Sequence, residues 1–361
     1  MNKKGKIWKS VLLIVVLFVI VMVGYVFVTP KEAGEETANI ANTVIAAAPT
    51  ESAGETVATG DAIVTTEPTA TPQVLKMTWK KKKSSLKAGK KVTFQVKVTG
   101  AGKTVKATDL TWSVSNKKYA TISKKGVLTG KRAGKVTVKA KYAGKSVSCK
   151  VTIKPKQVIG IDPGHQQSGD SSLEPVGPGA STKKAKVAGG TGGVSSKVPE
   201  YKLTLTIGKA LKKELVNRGY AVVMTRSSNA VNISNKERAQ KINKSGADIC
   251  IRLHADGGAA SAVGASGLYP SGGNPYVGNL SKKSHKLSKC VLSKYCAATG
   301  IRNRGSVQRD DLTGTNWSTV PVIVLEMGFM TNSKEDLYMQ SKKGQKAMVK
   351  GIANGIDAYY K

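Results

Sequence analysis

Three histidines occur in this chain of 361 residues: His165, His254 and His285. Two of them close an apolar run, Val158-Ile-Gly-Ile-Asp-Pro-Gly-His165 and Ala247-Asp-Ile-Cys-Ile-Arg-Leu-His254. A buried strand that stops at such a point delivers the next side chain to the rim of a sheet, where ligands and catalytic groups gather. Two imidazoles at one rim, with carboxylates nearby, have the composition of a zinc hydrolase site. His285 stands among Lys282, Lys283 and Lys286 on a helical stretch and reads as a solvated surface residue.

The elements that must position these residues follow from periodicity. From Gln157 onward strands alternate with helices. Glu200 to Arg218 repeats Leu203, Ile207, Leu211 and Leu215 at helical spacing and stops at Gly219. Ala221 to Thr225 reads as a strand, Ile233 to Ser245 as a helix, and Asp248 to Leu253 as a strand. A lysine-rich helix from about Leu280 to Ala298, a strand Val320 to Glu326 and a helix Ser341 to Tyr360 complete the pattern. Alternation of this length predicts a three-layer α/β domain with a mostly parallel sheet. Between Gln166 and Pro199 runs a Gly-, Ser- and Lys-rich connection far longer than usual, which marks it as functional or disordered. Whether it covers the cleft as a lid or an inhibitor stays open.

Upstream the composition changes twice. Residues 1–29 carry Lys3, Lys4, Lys6 and Lys9 ahead of an uninterrupted apolar run from Val11 to Val28, long enough to span a bilayer. No Ala-x-Ala type site follows, so the expectation is an uncleaved single-pass membrane anchor with the basic flank inside and the rest outside. Secretion to the wall after cleavage is the alternative. Residues 30–76, rich in Ala, Thr, Glu and Pro, cannot bury enough surface to offset ordering and read as a disordered stalk. Residues 77–156 carry short alternating strands about every ten residues, one with Trp112, which predicts a small all-β sandwich.

The formal net charge is +36. Such an excess points to polyanionic surroundings, whether nucleic acid, anionic lipid or an acidic wall polymer. Aromatic residues are only 5% of the chain, which leaves few stacking platforms for nucleic-acid bases, and an exported anchor excludes nucleic acid further. Residues 77–156 hold 23 lysines and arginines against a single acid, Asp109. Two readings stand for that face: attachment to anionic wall polymers, or plain solubility with lysines blunting strand edges. The four cysteines match no paired zinc pattern and read as buried or incidental, with a disulfide open.

Taken together in order, several segments resemble the zinc-dependent N-acetylmuramoyl-L-alanine amidases of the family-3 type. The carriers are Ile159-Gly-Ile-Asp-Pro-Gly-His165, Pro199-Glu-Tyr-Lys-Leu-Thr-Leu205, Arg218-Gly-Tyr-Ala-Val-Val-Met-Thr-Arg226, Glu237-Arg-Ala239, Ala247 to Ala255, and Pro321-Val-Ile-Val-Leu-Glu-Met-Gly-Phe-Met-Thr-Asn332. The resemblance covers residues 157–361. Residues 77–156 are similar to the group 2 bacterial immunoglobulin-like domain through Leu110-Thr-Trp-Ser-Val-Ser-Asn116, Tyr119-Ala-Thr-Ile-Ser123, Gly126-Val-Leu-Thr-Gly130 and Ala133-Gly-Lys-Val-Thr-Val138.

The first resemblance implies a peptidoglycan hydrolase that cuts the amide between N-acetylmuramic acid and L-alanine. It implies Zn2+ held by His165, Glu200 and His254, with Glu326 as the catalytic acid and base. Glu200 at a helix start has a plainer reading as a complement to the helix dipole. Asp162 orients the turn or a histidine; Arg226 and Arg238 either meet substrate carboxylates or brace the fold. Trp317 lines the groove or packs in its loop. Asp256 stands where the family usually carries Asn, and Thr331 where it carries Ser. The competing function is a non-catalytic wall-binding or adhesion protein with a silent amidase-like domain.

Overall fold

The computed structural model describes residues 73–361. The expected membrane anchor and stalk therefore lie outside the described residues, apart from the last few residues of the stalk. Among the described residues no helix is long and apolar enough to cross a membrane.

Nine strands make up the all-β part: β1 (Lys76–Lys81), β2 (Ser85–Lys87), β3 (Lys91–Thr93), β4 (Gln95–Thr99), β5 (Thr111–Val114), β6 (Ala120–Ile122), β7 (Val127–Gly130), β8 (Gly134–Tyr142) and β9 (Lys145–Lys154). They form a four-stranded sheet in the order β2-β9-β8-β5, a three-stranded sheet β3-β7-β6 and the pair β1-β4. Alternation puts Val136, Val138, Val151 and Ile153 of the larger sheet against Leu128 and Ala120 of the smaller one, around a fully buried Phe94. The run Val92 to Val98, continuous in the sequence pattern, divides at Phe94: its first half pairs with β7 and its second with β1. The chain changes sheets there, which the alternation alone does not announce.

The α/β part is built on β10 (Val158–Pro163), β13 (Ala221–Met224), β14 (Ile249–Asp256), β15 (Ala265–Tyr269), β16 (Asn303–Gln308) and β17 (Val322–Phe329), with a small hairpin of β11 (Asp170–Pro175) and β12 (Lys183–Val187) between β10 and β13. The helices are α1 (Glu200–Asn217), α2 (Asn235–Lys244), α3 (Ser281–Thr299), α4 (Thr313–Asn316), α5 (Ser333–Gln340) and α6 (Lys342–Tyr359). The sheet order is β13-β10-β14-β17-β15-β16. One face, through Ile159, Ile161, Ile251, Leu253, Ile323 and Leu325, packs on α1, α3 and α6. The other packs Cys250 and Val322 on Ile242 of α2, which completes three layers.

The sheet is mixed, because β15 runs antiparallel to β17 while the other pairs are parallel. A parallel return needs a crossover of a dozen or more residues, and residues 257–264 between β14 and β15 are too few for one. The chain must therefore turn back on itself. β15 and β16 had no signature of their own in the sequence, being short and Gly- and Ser-containing, with β16 at the sheet edge.

Helices α3 and α6 approach closely at Gly355, where a Cβ would stand 2.4 Å from the Val291 Cα. We expect Gly355→Ala to destabilise the fold by about 1–3 kcal/mol in chemical denaturation despite its better helix propensity, because the backbones would have to separate. An unchanged or raised midpoint would contradict that packing. The four cysteines are free, so the open disulfide is not formed.

Candidate active site

The first strand delivers its histidine through a strained turn. His165 has a left-handed backbone (φ 57°), a conformation that costs a non-glycine residue about 1–2 kcal/mol. The turn is held from outside. Arg238 donates to the Pro163 carbonyl at 2.9 Å, the His165 carbonyl at 2.9 Å and the Gln166 side chain at 2.9 Å. Arg226 donates to the carbonyls of Pro163, Gly164 and Tyr201 at 2.9, 3.0 and 2.8 Å. Both arginines therefore brace the fold, and substrate does not reach them. Gly164 is needed for a close approach: a Cβ there would fall 2.3 Å from the His254 ring.

Asp162 is buried on β10 in register with Arg252. It accepts from Thr225, from Arg238 at 3.0 Å and from Arg252 at 2.8 Å. Burial pushes its carboxyl up, but the two guanidiniums and the hydrogen bonds outweigh that and hold it far below the usual range. It touches neither histidine. The histidine partner is a backbone group instead: His165 Nδ1 donates to the Ala188 carbonyl at 2.7 Å, just beyond β12. A carbonyl can only accept, so the Nδ1 of His165 carries the proton and Nε2 turns its lone pair inward.

Three side chains converge at that point. His254 Nδ1 lies 3.1 Å from His165 Nε2 and 3.1 Å from Glu200 Oε1, and His165 Nε2 lies 3.2 Å from Glu200 Oε2. The carboxylate of Glu200 accepts from the backbone N–H of Thr191 and Ala255, both at 3.0 Å. It is buried at the first residue of α1, so it does more than face the helix dipole from solvent. Burial opposes its ionisation, yet the two histidines hold it ionised, well below the usual carboxylate range. Burial lowers His254, whereas the Glu200 contact outweighs burial and raises His165.

Glu326 lies within β17 rather than at its end, and its Cα pairs with that of His254. Burial, then the charges of Glu200 and Asp256, push its carboxyl up to about 8. His254, likewise, is followed by two more residues of β14. The strand pair thus carries one imidazole and one carboxyl side by side into a cleft of about 310 Å³. The roof of that cleft is the β11–β12 hairpin, formed by the long connection that the sequence left open. Lys184 of β12 ties the hairpin across the cleft to Asp311 at 2.9 Å, and Arg309 holds Asp311 at 2.8 Å.

Other sequence expectations fall outside the cleft. Trp317 donates to the Pro175 carbonyl at 2.9 Å and lies under the Lys236 ammonium, which makes it a packed loop aromatic. His285 stacks on Tyr269 with centroids 4.4 Å apart, away from the other histidines. Asp256 accepts from the Gly257 N–H at 3.0 Å. Sequence reasoning passed over Arg252, a charge inside an apolar run and on the same face as His254; that alternation was the available signal.

Residues 159–358, more than half of the chain, match the family described as N-acetylmuramoyl-L-alanine amidase. The chain belongs to that family. Residues 73–157 match the bacterial Ig-like domain (group 2). Among relatives, the N-acetylmuramoyl-L-alanine amidase Rv3717 of Mycobacterium tuberculosis is 29% identical over 212 residues, 56% of this chain and 86% of that protein. The uncharacterized protein YqiI of Bacillus subtilis is 28% identical over 170 residues, 47% of this chain and 79% of that one. The amidase domain is also similar to the crystal structure of the N-acetylmuramyl-L-alanine amidase Ami1 from Mycobacterium smegmatis, with 25% identity and a TM-score of 0.52 over 57% of this chain and 97% of that one. For the apo form of Ami1 from Mycobacterium abscessus the values are 26%, 0.53, 57% and 100%.

Proposed function

We propose that this amidase hydrolyses the bond between N-acetylmuramic acid and L-alanine in peptidoglycan, using a zinc ion held by His165, Glu200 and His254. The observation that carries the reading is the convergence of the two imidazoles on one carboxylate, with His254 Nδ1 3.1 Å from His165 Nε2 and from Glu200 Oε1, and His165 Nε2 3.2 Å from Glu200 Oε2. Donors about 2.0–2.1 Å from one tetrahedral zinc stand about 3.3 Å from each other. Two nitrogen lone pairs and a carboxylate facing one point repel unless a cation or protons lie between them. Three protein donors also leave a coordination position open, as hydrolytic sites require.

Bound there, zinc supplies Lewis acidity toward the amide carbonyl and toward a water molecule. The protein does the rest. Ala188 fixes the tautomer and tilt of the His165 ring. Glu326 accepts a proton from the attacking water and returns it to the departing L-alanine nitrogen, so that a free amine leaves in place of an anion. Burial and the charges of Glu200 and Asp256, which push its carboxyl up toward neutrality, suit it to hold the proton between the two transfers. The hairpin roof limits bulk water around that exchange.

Placement in the wall rests on the outward anchor read from Val11 to Val28 and on the lysine-rich Ig-like domain. Among the described residues the ion pairs of that domain reduce to Lys156 with Asp357 at 3.8 Å, which leaves its positive field free for anionic wall polymers.

The test is digestion of purified cell walls with and without a chelator. Newly freed L-alanine amino groups should appear only with metal present, and metal analysis should give one zinc per chain. New reducing sugar ends, or undiminished release in chelator, would overturn the reading. His254→Ala is expected to lose most of the bound zinc, since two donors remain; full zinc content in that variant would remove His254 from the ligand set.

A further inference from the structure

Arg252 is a charged side chain only 6% exposed, yet it lines the cleft beside His254 and Glu326. Its Nε donates to Asp162 at 2.8 Å and one Nη donates to Asn235 at 2.6 Å. Its other Nη has no acceptor among the described residues. Arg238 shares the same Asp162 carboxylate, so the buried group of two guanidiniums and one acid keeps an excess positive charge. Arg238 spends its remaining donors on backbone carbonyls and the Gln166 side chain, and Arg252 does not. A buried guanidinium with a free donor edge in an open cleft is built to meet an anion in planar, paired geometry.

Its position along the strand says which anion. Arg252 precedes His254 by two residues on the same face of β14, a rise of about 6.6 Å between their Cα atoms. Leu268 and Val324 flank it on that face and Val187 and Ala188 line the roof, while Lys184, Asn235, Asp311 and Thr313 also border the cleft. In a peptidoglycan stem the L-alanine is followed by D-glutamate linked through its γ-carboxyl, which leaves the α-carboxyl one residue beyond the scissile nitrogen. With Cα atoms 3.8 Å apart, that carboxylate lies about 6 Å from the scissile nitrogen. The L-alanine methyl group would occupy the stretch between them.

We propose that Arg252 is a specificity-determining residue of this amidase, pairing with the α-carboxylate of the second stem residue and so favouring D-glutamate over its α-amide, D-isoglutamine. The proposal rests on the amidase reading above. An amide at that place would set N–H donors against guanidinium donors, and a buried arginine would lose its partner.

The experiment offers the zinc-loaded protein two insoluble peptidoglycans that differ in whether the D-glutamate α-carboxyl is free or amidated, and reads freed L-alanine amino groups. The unsubstituted protein should prefer the free carboxylate by about 10–100-fold in kcat/KM, chiefly through KM. Arg252→Gln should erase the preference by slowing the carboxylate substrate alone, and Arg252→Lys should keep part of it. Equal cleavage of the two polymers by the unsubstituted protein overturns the proposal without touching the amidase reading, and needs no variant to fold. A uniform loss on both polymers in Arg252→Lys also overturns it, leaving Arg252 as a support for Glu326 and Asp162. Release from neither polymer means that the amidase reading itself has failed.

Discussion

Glu326→Ala is expected to lower wall hydrolysis by about 10²–10⁴-fold while zinc content stays that of the unsubstituted protein. The carboxyl belongs to β17 and its Cα faces that of His254, yet its oxygens are not among the three converging donors. Removing it takes away the group that receives the water proton and hands it to the leaving nitrogen. The ion keeps its three protein donors. Glu326→Gln, which preserves size and hydrogen bonding, should fall by a similar factor, since an amide cannot carry the proton. Metal analysis beside L-alanine release checks both halves. Retained activity would remove Glu326 from proton transfer, and lost zinc would make it a ligand.

Asp162→Ala is expected to cost about 3–5 kcal/mol of stability, because it strands the guanidiniums of Arg238 and Arg252 in the interior without their carboxylate. Urea unfolding measures it, and a loss below about 1 kcal/mol would show that the network contributes little. The same group predicts a pH dependence. Its carboxyl is held far below its unfolded value, so its contribution is fully present above the ordinary carboxylate range near pH 4 and is lost as pH falls through the lower folded value. Stability should therefore decline on acidification in the unsubstituted protein, and less steeply in Asp162→Ala. The variant should also bind zinc more weakly, because Arg238 carries Asp162 at one end and the His165 carbonyl at the other.

These two residues show how differently site and support read from sequence. His165, His254 and Glu326 each stand in an apolar run, and the run itself predicts a strand and a rim. Glu200 had a role only through the order of segments around it, since an acid at a helix start has an ordinary explanation. Asp162 and Arg238 lie 76 residues apart, and nothing local in either says that they meet. Arg226 and Arg238 could equally have faced substrate; burial and a set of carbonyl partners decided otherwise.

By itself the sequence determined the family, the alternation of strands and helices, and which residues stand near strand ends, because these depend on residue type and on periods of two and 3.6. Only the tertiary structure decided that the long connection after His165 is a hairpin roof and that a backbone carbonyl sets the His165 tautomer. It likewise decided that the sheet reverses at β15 and that Asp162 joins Arg238 to Arg252. Each of those outcomes depends on which distant segments pack together, and a hydrogen bond across dozens of residues leaves no mark on the local pattern at either end.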